Sequence, residues 1–261
     1  MPAIPPPVAA PRTKNSHPPL VFLHGFRGNG TGLRQLEQYF PDYYCHFPDL
    51  PPAGGNTLRV YNAALYADFV ANYIKEHRLK KPILIGHSMG SLVAAAVAEK
   101  YPDLIADHIV LLSPISKKPA RFFAAISPYS AILPTRVVDY VTTKYLYVAP
   151  EQKNHLQFRL ILTLTHACST DYTSRRDIYR SAQFSSHHSL GDFKFKRRAL
   201  IVAGEKDRLI PIKHTKQLVD AMNANFPDST TSVFIKDAGH LINYERPAAV
   251  AKAIRSFLKT A

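Results

Sequence analysis

The chain has 261 residues, of which 46% are hydrophobic and 20% charged. That length is near the upper end for one domain and buries about 70–75% of the unfolded surface, and the composition excludes a disordered or fibrous chain. The charge balance is 33 Lys+Arg minus 19 Asp+Glu, or +14.

Such a field can attract anionic surfaces or acidic substrates. The basic residues are mostly scattered, with small clusters at Lys117, Lys118 and Arg121 and at Lys194, Lys196, Arg197 and Arg198. The second cluster alternates with Phe193 and Phe195 but directly precedes an apolar strand-like run. It reads as a solvated loop, and no nucleic-acid partner is expected. Two cysteines, Cys45 and Cys168, cannot build a disulfide framework and lack metal-ligand spacing. No apolar run approaches the roughly 18–20 residues of a membrane span. The N-terminus has neither the basic nor the apolar region of a secretory signal. The expectation is a soluble, cytoplasmic protein.

Residues 1–18 are Pro-rich and read as an extended tail. Leu20–Leu23 is a short apolar run closed by His24 and Gly25, the pattern of a buried strand. Residues 31–40 can form a short helix. Tyr43–Phe47 reads as a second strand, stopped by Pro48 and the turn-rich 51–55. Asn56 or Thr57 can cap a helix whose apolar stripe is Leu58, Tyr61, Leu65, Phe69 and Tyr73. Pro82–Ile85 and His108–Leu112 are strands, with a helix over Ser91–Tyr101 between them. From about 114 to 190 the strands give way to aromatics, prolines and expected helices, including 137–147 and 152–165. Alternation returns with strand Ala199–Val202, a helix over 211–224, strand Ser232–Ile235 and a helix over 246–259. Strands alternating with helices predict a mostly parallel sheet covered on both faces. The core is expected over 19–113 and 191–261, with 114–190 inserted.

The most informative segment is Gly86-His87-Ser88-Met89-Gly90, a G-x-S-x-G between an expected strand and an expected helix. A sharp strand-to-helix turn strains the serine backbone and pushes its hydroxyl out of the sheet. Glycines at 86 and 90 remove side chains that would collide across that turn. The helix N-terminus behind it favours an oxyanion. His87, on the same tight turn, projects away from Ser88 and reads as a packing or hydrogen-bonding residue, with a substrate contact as the other possibility.

A serine hydroxyl needs an imidazole to take its proton, and the imidazole needs a partner that holds its tautomer. Both must lie where strand C-termini emerge. Of twelve histidines, His240 follows the last expected strand through a short loop. His214 falls in a helix, His108 begins a strand, and His187 and His188 belong to the insertion. Asp207 lies in the loop after the preceding strand and is the expected acid, with Glu205, nearer the strand end, as its rival.

In these residues the sequence resembles the α/β-hydrolase superfamily, in its capped esterase and lipase branch, over residues 19 to 258. Four motifs carry the likeness: His24-Gly25-Phe26, Gly86–Gly90, Gly204–Pro211 and Gly239–Pro247. The resemblance implies Ser88 as nucleophile, His240 as base and Asp207 as acid, with an oxyanion hole from the backbone N–H groups of Phe26 and Met89. It implies a helical cap over 114–190. The sequence has no G-x-G-x-x-G, P-loop or H-E-x-x-H motif, so no cofactor or metal is expected. Some relatives place the acid after the strand ending here at Leu112; this chain has Ser113 and Pro114 there. Few residues precede the first strand, so a sheet of about six strands is expected instead of eight. Ser91 replaces the family's usual glycine after the turn, and Asp49-Leu50-Pro51-Pro52 replaces a glycine-rich loop.

The cap segment is rich in Phe, Tyr, Ile and Leu, as an apolar acyl pocket would be. Arg27 either points to water, the more ordinary reading, or meets a substrate carboxylate. The expected activity is carboxylesterase chemistry on a small ester with a short or medium acyl chain. C–C hydrolysis of a diketone-like acid is the alternative, and a ligand receptor on the same fold, without turnover, is a third reading.

Overall fold

A computed structural model describes residues 17–118, Val137 and 174–260. Six strands form one sheet: β1 (Leu20–Leu23), β2 (Cys45–His46), β3 (Ile83–His87), β4 (His108–Leu112), β5 (Arg198–Gly204) and β6 (Thr230–Ile235). Their order is β2-β1-β3-β4-β5-β6 and every pairing is parallel. Among the described residues the helices are α1 (Ala63–Glu76), α2 (Met89–Lys100), α3 (Arg175–His187), α4 (Ile212–Asn225), α5 (Ile242–Glu245) and α6 (Pro247–Leu258).

Strand alternation divides the core in two. Val21, Leu23, Leu84, Ile109, Leu111 and Ile201 face α1, α2 and Leu218 of α4. Leu20, Phe22, Ile85, Val110, Leu112 and Val202 face the 3-10 segment Gly30–Tyr39 and α6. Both sheet faces are therefore covered. Helix α2 is buried from Met89 to Ala98, and its run of alanines lets it lie close to both the sheet and α1.

Register places the functional loops at one edge. Leu23 pairs Gly86, His87 pairs Leu112, Leu112 pairs Val202, and Gly204 pairs Ile235. The chain leaves β1 toward β2 on one side and returns through α1 to β3 on the other. The order thus reverses between β1 and β3, and that crevice is where ligands bind in open parallel sheets.

The expected strands all form, with shifted ends. The second shrinks to Cys45–His46 at the sheet edge. Residues Gly30–Tyr39 wind as a 3-10 helix, with the poor helix formers Gly30 and Gly32 in its first turn. The first long helix differs more. Asn56 does not cap it, because its backbone N–H and side-chain amide are taken by Ala53 O (3.0 Å) and Asp49 O (2.8 Å). The cap is Asn62, whose side chain accepts the N–H of Leu65 at 2.9 Å. The buried face is Tyr66, Ala67, Val70, Ala71 and Ile74, one position beyond the expected Leu65, Phe69 and Tyr73, which are half-buried. The apolar stripe is wide enough for both sets, and Tyr66, Ala67, Val70 and Ile74 pack into the cluster that holds α2.

The helices expected over 137–147 and 152–165, and the aromatic residues between them, lie outside the described residues, as does Cys168. Cys45 is a free thiol, pushed up to about 12 by burial. Helix α3 was not anticipated as a unit. Ser174 caps it by accepting Asp177 N–H at 3.2 Å, and Phe184 and Leu190 pack into the same cluster as Tyr66, Met89 and Leu92. The end of the expected insertion is thus built into the body.

Candidate active site

Ser88 directly follows β3 with φ 51° and ψ −116°, a conformation costing on the order of 1–3 kcal/mol for a non-glycine residue. Close neighbours hold it there. Its N–H donates to Leu112 O at 2.9 Å, and its carbonyl accepts from Ser91 N (2.9 Å) and Ser91 Oγ (2.5 Å). Gly86 and Gly90 make the turn possible by space. A Cβ on Gly86 would lie 2.3 Å from Gly90 O, and one on Gly90 would lie 2.1 Å from Leu23 O. The hydroxyl of Ser91 thus supports the turn, a role the sequence pattern did not reveal.

The Ser88 Oγ lies 2.9 Å from His240 Nε2. On the far side of the ring, His240 Nδ1 lies 2.8 Å from Asp207 Oδ2. The other carboxylate oxygen accepts the N–H groups of Leu209 (2.9 Å) and Ile210 (2.8 Å). Three donors therefore fix the orientation of Asp207. A carboxylate at Nδ1 requires the proton there, which leaves Nε2 free to accept from Ser88. Ser88, His240 and Asp207 retain 8%, 2% and 6% of their surface, so this chain of bonds is nearly sealed from water. A hydroxyl so placed can pass its proton to the imidazole as it attacks a carbonyl.

The loops bearing His240 and Asp207 are fastened to each other. Glu205 N–H donates to Ile235 O (3.0 Å), and Lys206 N–H to Ala238 O (2.9 Å). A Cβ on Gly204 would lie 2.3 Å from both Ala238 O and Gly239 O, so only glycine permits this approach. Glu205 itself is exposed, and Asp207 alone of the two carboxylates is brought to His240. Behind the ring, buried Glu245 of α5 accepts the N–H of Gly239 at 3.0 Å.

The β1 end is organised by His24. Its Nδ1–H donates to Gly25 O (2.9 Å), and its Nε2 accepts Leu50 N–H (2.8 Å). Burial lowers the affinity of His24 for a second proton, consistent with that neutral tautomer. Asp49 accepts Gly30 N–H at 2.7 Å. The 49–52 loop, whose path the sequence left open, is thereby tied to the loop after β1. Phe26 and Met89, with His24, Arg27, Gly28, Pro52, Ala53 and Ile178, line a cavity of about 10 Å³, room for one water molecule. Met89 is the first residue of α2, so its N–H has no intrahelical acceptor.

Arg27 is half-buried, with φ 57°, on the wall of that cavity. His87 is buried, and its Nε2–H donates to His240 O at 3.1 Å. Below Met89, Tyr66 Oη donates to Pro51 O (2.7 Å) and lies 3.1 Å from Ser181 Oγ of α3. Neither Tyr66 nor Ser181 stood out in the sequence, since the two are 115 residues apart. The other histidines weighed as the base sit elsewhere: half-buried His214 in α4 faces Gln217 (3.3 Å), His108 starts β4, and His187 and His188 face carbonyls of their own helix. Among the described residues, no cluster of His, Cys, Asp and Glu could hold a metal ion, and no helix is long and apolar enough to cross a membrane.

The chain belongs to the alpha/beta hydrolase family, whose model matches residues 20–253. It is 26% identical over 257 residues to the uncharacterized hydrolase YugF of Bacillus subtilis, covering 92% of this chain and 89% of that one. It is 25% identical over 246 residues to the (E)-2-((N-methylformamido)methylene)succinate hydrolase of Acinetobacter baylyi, covering 93% of this chain and 90% of the other. Among solved structures it resembles a thermophilic esterase from Thermogutta terrifontis, with a TM-score of 0.76, 20% identity and coverage of 94% and 91%.

Proposed function

We propose that the protein is a serine hydrolase that cleaves carboxylic esters with short or medium acyl chains. The observation that carries this reading is the pair of bonds through His240, 2.9 Å to Ser88 Oγ and 2.8 Å to Asp207. Ser88 attacks the ester carbonyl while His240 Nε2 takes its proton. The N–H groups of Met89 and Phe26 stabilise the oxyanion. His240 then protonates the departing alcohol, and a water activated by the same imidazole releases the acid from the acyl-enzyme. Asp207 holds the tautomer throughout and stabilises the imidazolium. Arg27, on the cavity wall, meets a carboxylate on substrates that carry one. The substrate is a small molecule, no cofactor takes part, and the expected location is the cytoplasm.

The test is steady-state hydrolysis of p-nitrophenyl esters from acetate to palmitate, wild type beside Ser88→Ala. Multiple turnover that depends on Ser88 and peaks at one chain length supports the esterase. A second reading, hydrolysis of an unsaturated dicarboxylic acid, draws on the likeness to the succinate hydrolase and on Arg27. It predicts that such an acid outperforms every nitrophenyl ester, with a loss specific to it in Arg27→Gln. Absence of turnover on both, with ligand retained, would instead favour a receptor.

A further inference from the structure

The base must be held to a few tenths of an ångström, yet His240 sits on a loop outside the sheet. Two bonds restrain residues just before it: Lys206 N–H to Ala238 O, and Gly239 N–H to Glu245. Asp207 orients the ring, but the bond to the main-chain carbonyl of residue 240 comes from the residue beside the nucleophile. We propose that His87 is a positioning residue, whose ring sets the distance between the Ser88 turn and the main chain of His240. This inference rests on the reading of Ser88 and His240 given above.

Three observations support it. First, His87 belongs to the rigid part of the molecule. It is the last residue of β3, paired with Leu112 on β4, and β3 is flanked by β1 on the other side. Second, the ring spans two loops. Its Nε2–H donates to His240 O at 3.1 Å. Its Nδ1 lies 3.2 Å from where a Cβ on Gly25 would stand, against the loop that carries Phe26. One imidazole thus separates the expected oxyanion loop from the base loop while its own backbone continues into Ser88. Third, the ring is neutral and cannot compete for the reaction's proton. Burial, and then the nearby His240, push His87 down to about 3. Its Nε2 must carry the hydrogen, because a carbonyl only accepts. The two rings stand 5.5 Å apart between centroids, so a charged His87 would oppose formation of the His240 imidazolium.

The consequence is a defect confined to the chemical step. His87→Leu removes the donor and frees the carbonyl of residue 240, so the imidazole drifts from Ser88. kcat should fall about 10- to 100-fold, the range expected for sub-ångström to 1 Å misplacement of a catalytic group, with KM changed less than about twofold. His87→Gln places an amide N–H near the position of Nε2 and should recover kcat to within about threefold of wild type. Labelling of Ser88 by a small fluorophosphonate, which needs the base but little of an acyl pocket, should slow in parallel with kcat. If the Leu variant does not fold, by circular dichroism, His87→Asn replaces it, because that amide ends short of Nε2.

Wild-type kcat in the Leu or Asn variant overturns the inference. So does an effect on KM alone, which would make His87 a substrate contact. Equal losses in Gln and Leu, tracking lost stability, would reduce it to packing and likewise overturn it. Ser88→Ala, assayed alongside, separates this failure from failure of the parent reading: an active Ser88→Ala enzyme removes the triad itself.

Discussion

Replacing Gly204 by alanine tests whether the approach of the Asp207 and His240 loops sets the rate. The new Cβ would stand 2.3 Å from Ala238 O and Gly239 O and 2.6 Å from Ala238 C. Those are backbone atoms, with no flexible side chain to swing aside. Restoring an ordinary contact of about 3.4 Å requires the loops to part by about 1 Å. The β5–β6 ladder resists at Gly204 and Ile235, so the movement falls on residues 238–240. His240 Nδ1, now 2.8 Å from Asp207, would then stand beyond hydrogen-bond reach, at about 3.8 Å. A displacement of that size costs on the order of 10²-fold in rate, and forcing a methyl into a packed site costs about 1–3 kcal/mol of stability. The assay is kcat and KM on the best p-nitrophenyl ester, with urea unfolding on the same samples. Gly191→Ala is the control: a Cβ there meets nothing within 4 Å, and its effect should stay within about 0.5 kcal/mol. A Gly204→Ala enzyme with wild-type kcat would refute the argument.

Other expectations follow from the same geometry. Asp207→Asn keeps the two backbone bonds but turns an amide N–H toward His240 Nδ1, forcing the proton onto Nε2; kcat should fall by about 10⁴, with little change in unfolding midpoint. Ser91→Gly removes the hydroxyl that supports the Ser88 carbonyl, and should lower both stability, by about 1 kcal/mol, and kcat, read in parallel by urea titration and initial rates. Tyr66→Phe leaves Pro51 O without its donor and should cost about 1–2 kcal/mol, measured by denaturant unfolding. Acid should also weaken the fold. His87 titrates near 3 when folded, whereas an unfolded histidine titrates near 6.5. Between those values the unfolded chain binds the extra proton, so stability is full above about pH 6.5 and declines as pH falls toward 3. His87 contributes up to about 1.4 kcal/mol per pH unit to that slope. His87→Gln should flatten the pH dependence of unfolding free energy by about one proton, and an unchanged slope would contradict the buried neutral ring.

Much of the fold was legible because its signals are local. Short apolar runs marked the six strands, most of them ended by Gly, Pro or Ser, and Gly86 to Gly90 identified the turn through the space it demands. Asp207 and His240 could be found because each follows a strand within a few residues at the same sheet edge. What could not be read depends on contacts distant in sequence. The start of α1 moved to Ala63 because Asn56 is bound to the 49–53 loop, a tertiary fact. The buried face of α1 shifted by one position because Tyr66, Ala67, Val70 and Ile74 join the core cluster that holds α2. The bonds from His24 to Leu50, Tyr66 to Ser181 and His87 to His240 join loops or helices whose proximity exists only after the sheet has formed.

Ser88 and His240 are separated by 152 residues, and that separation has a consequence in time. A growing chain exposes the serine turn long before β6 and the loop beyond it are made. Contacts this distant form slowly, after the local elements have settled. Hydrolase activity should therefore be the last property to appear on refolding, later than helical circular dichroism. A chain truncated before residue 240 would hold the strained turn with no partner for it. Activity in this protein then serves as a clock for completed folding, readable without any label.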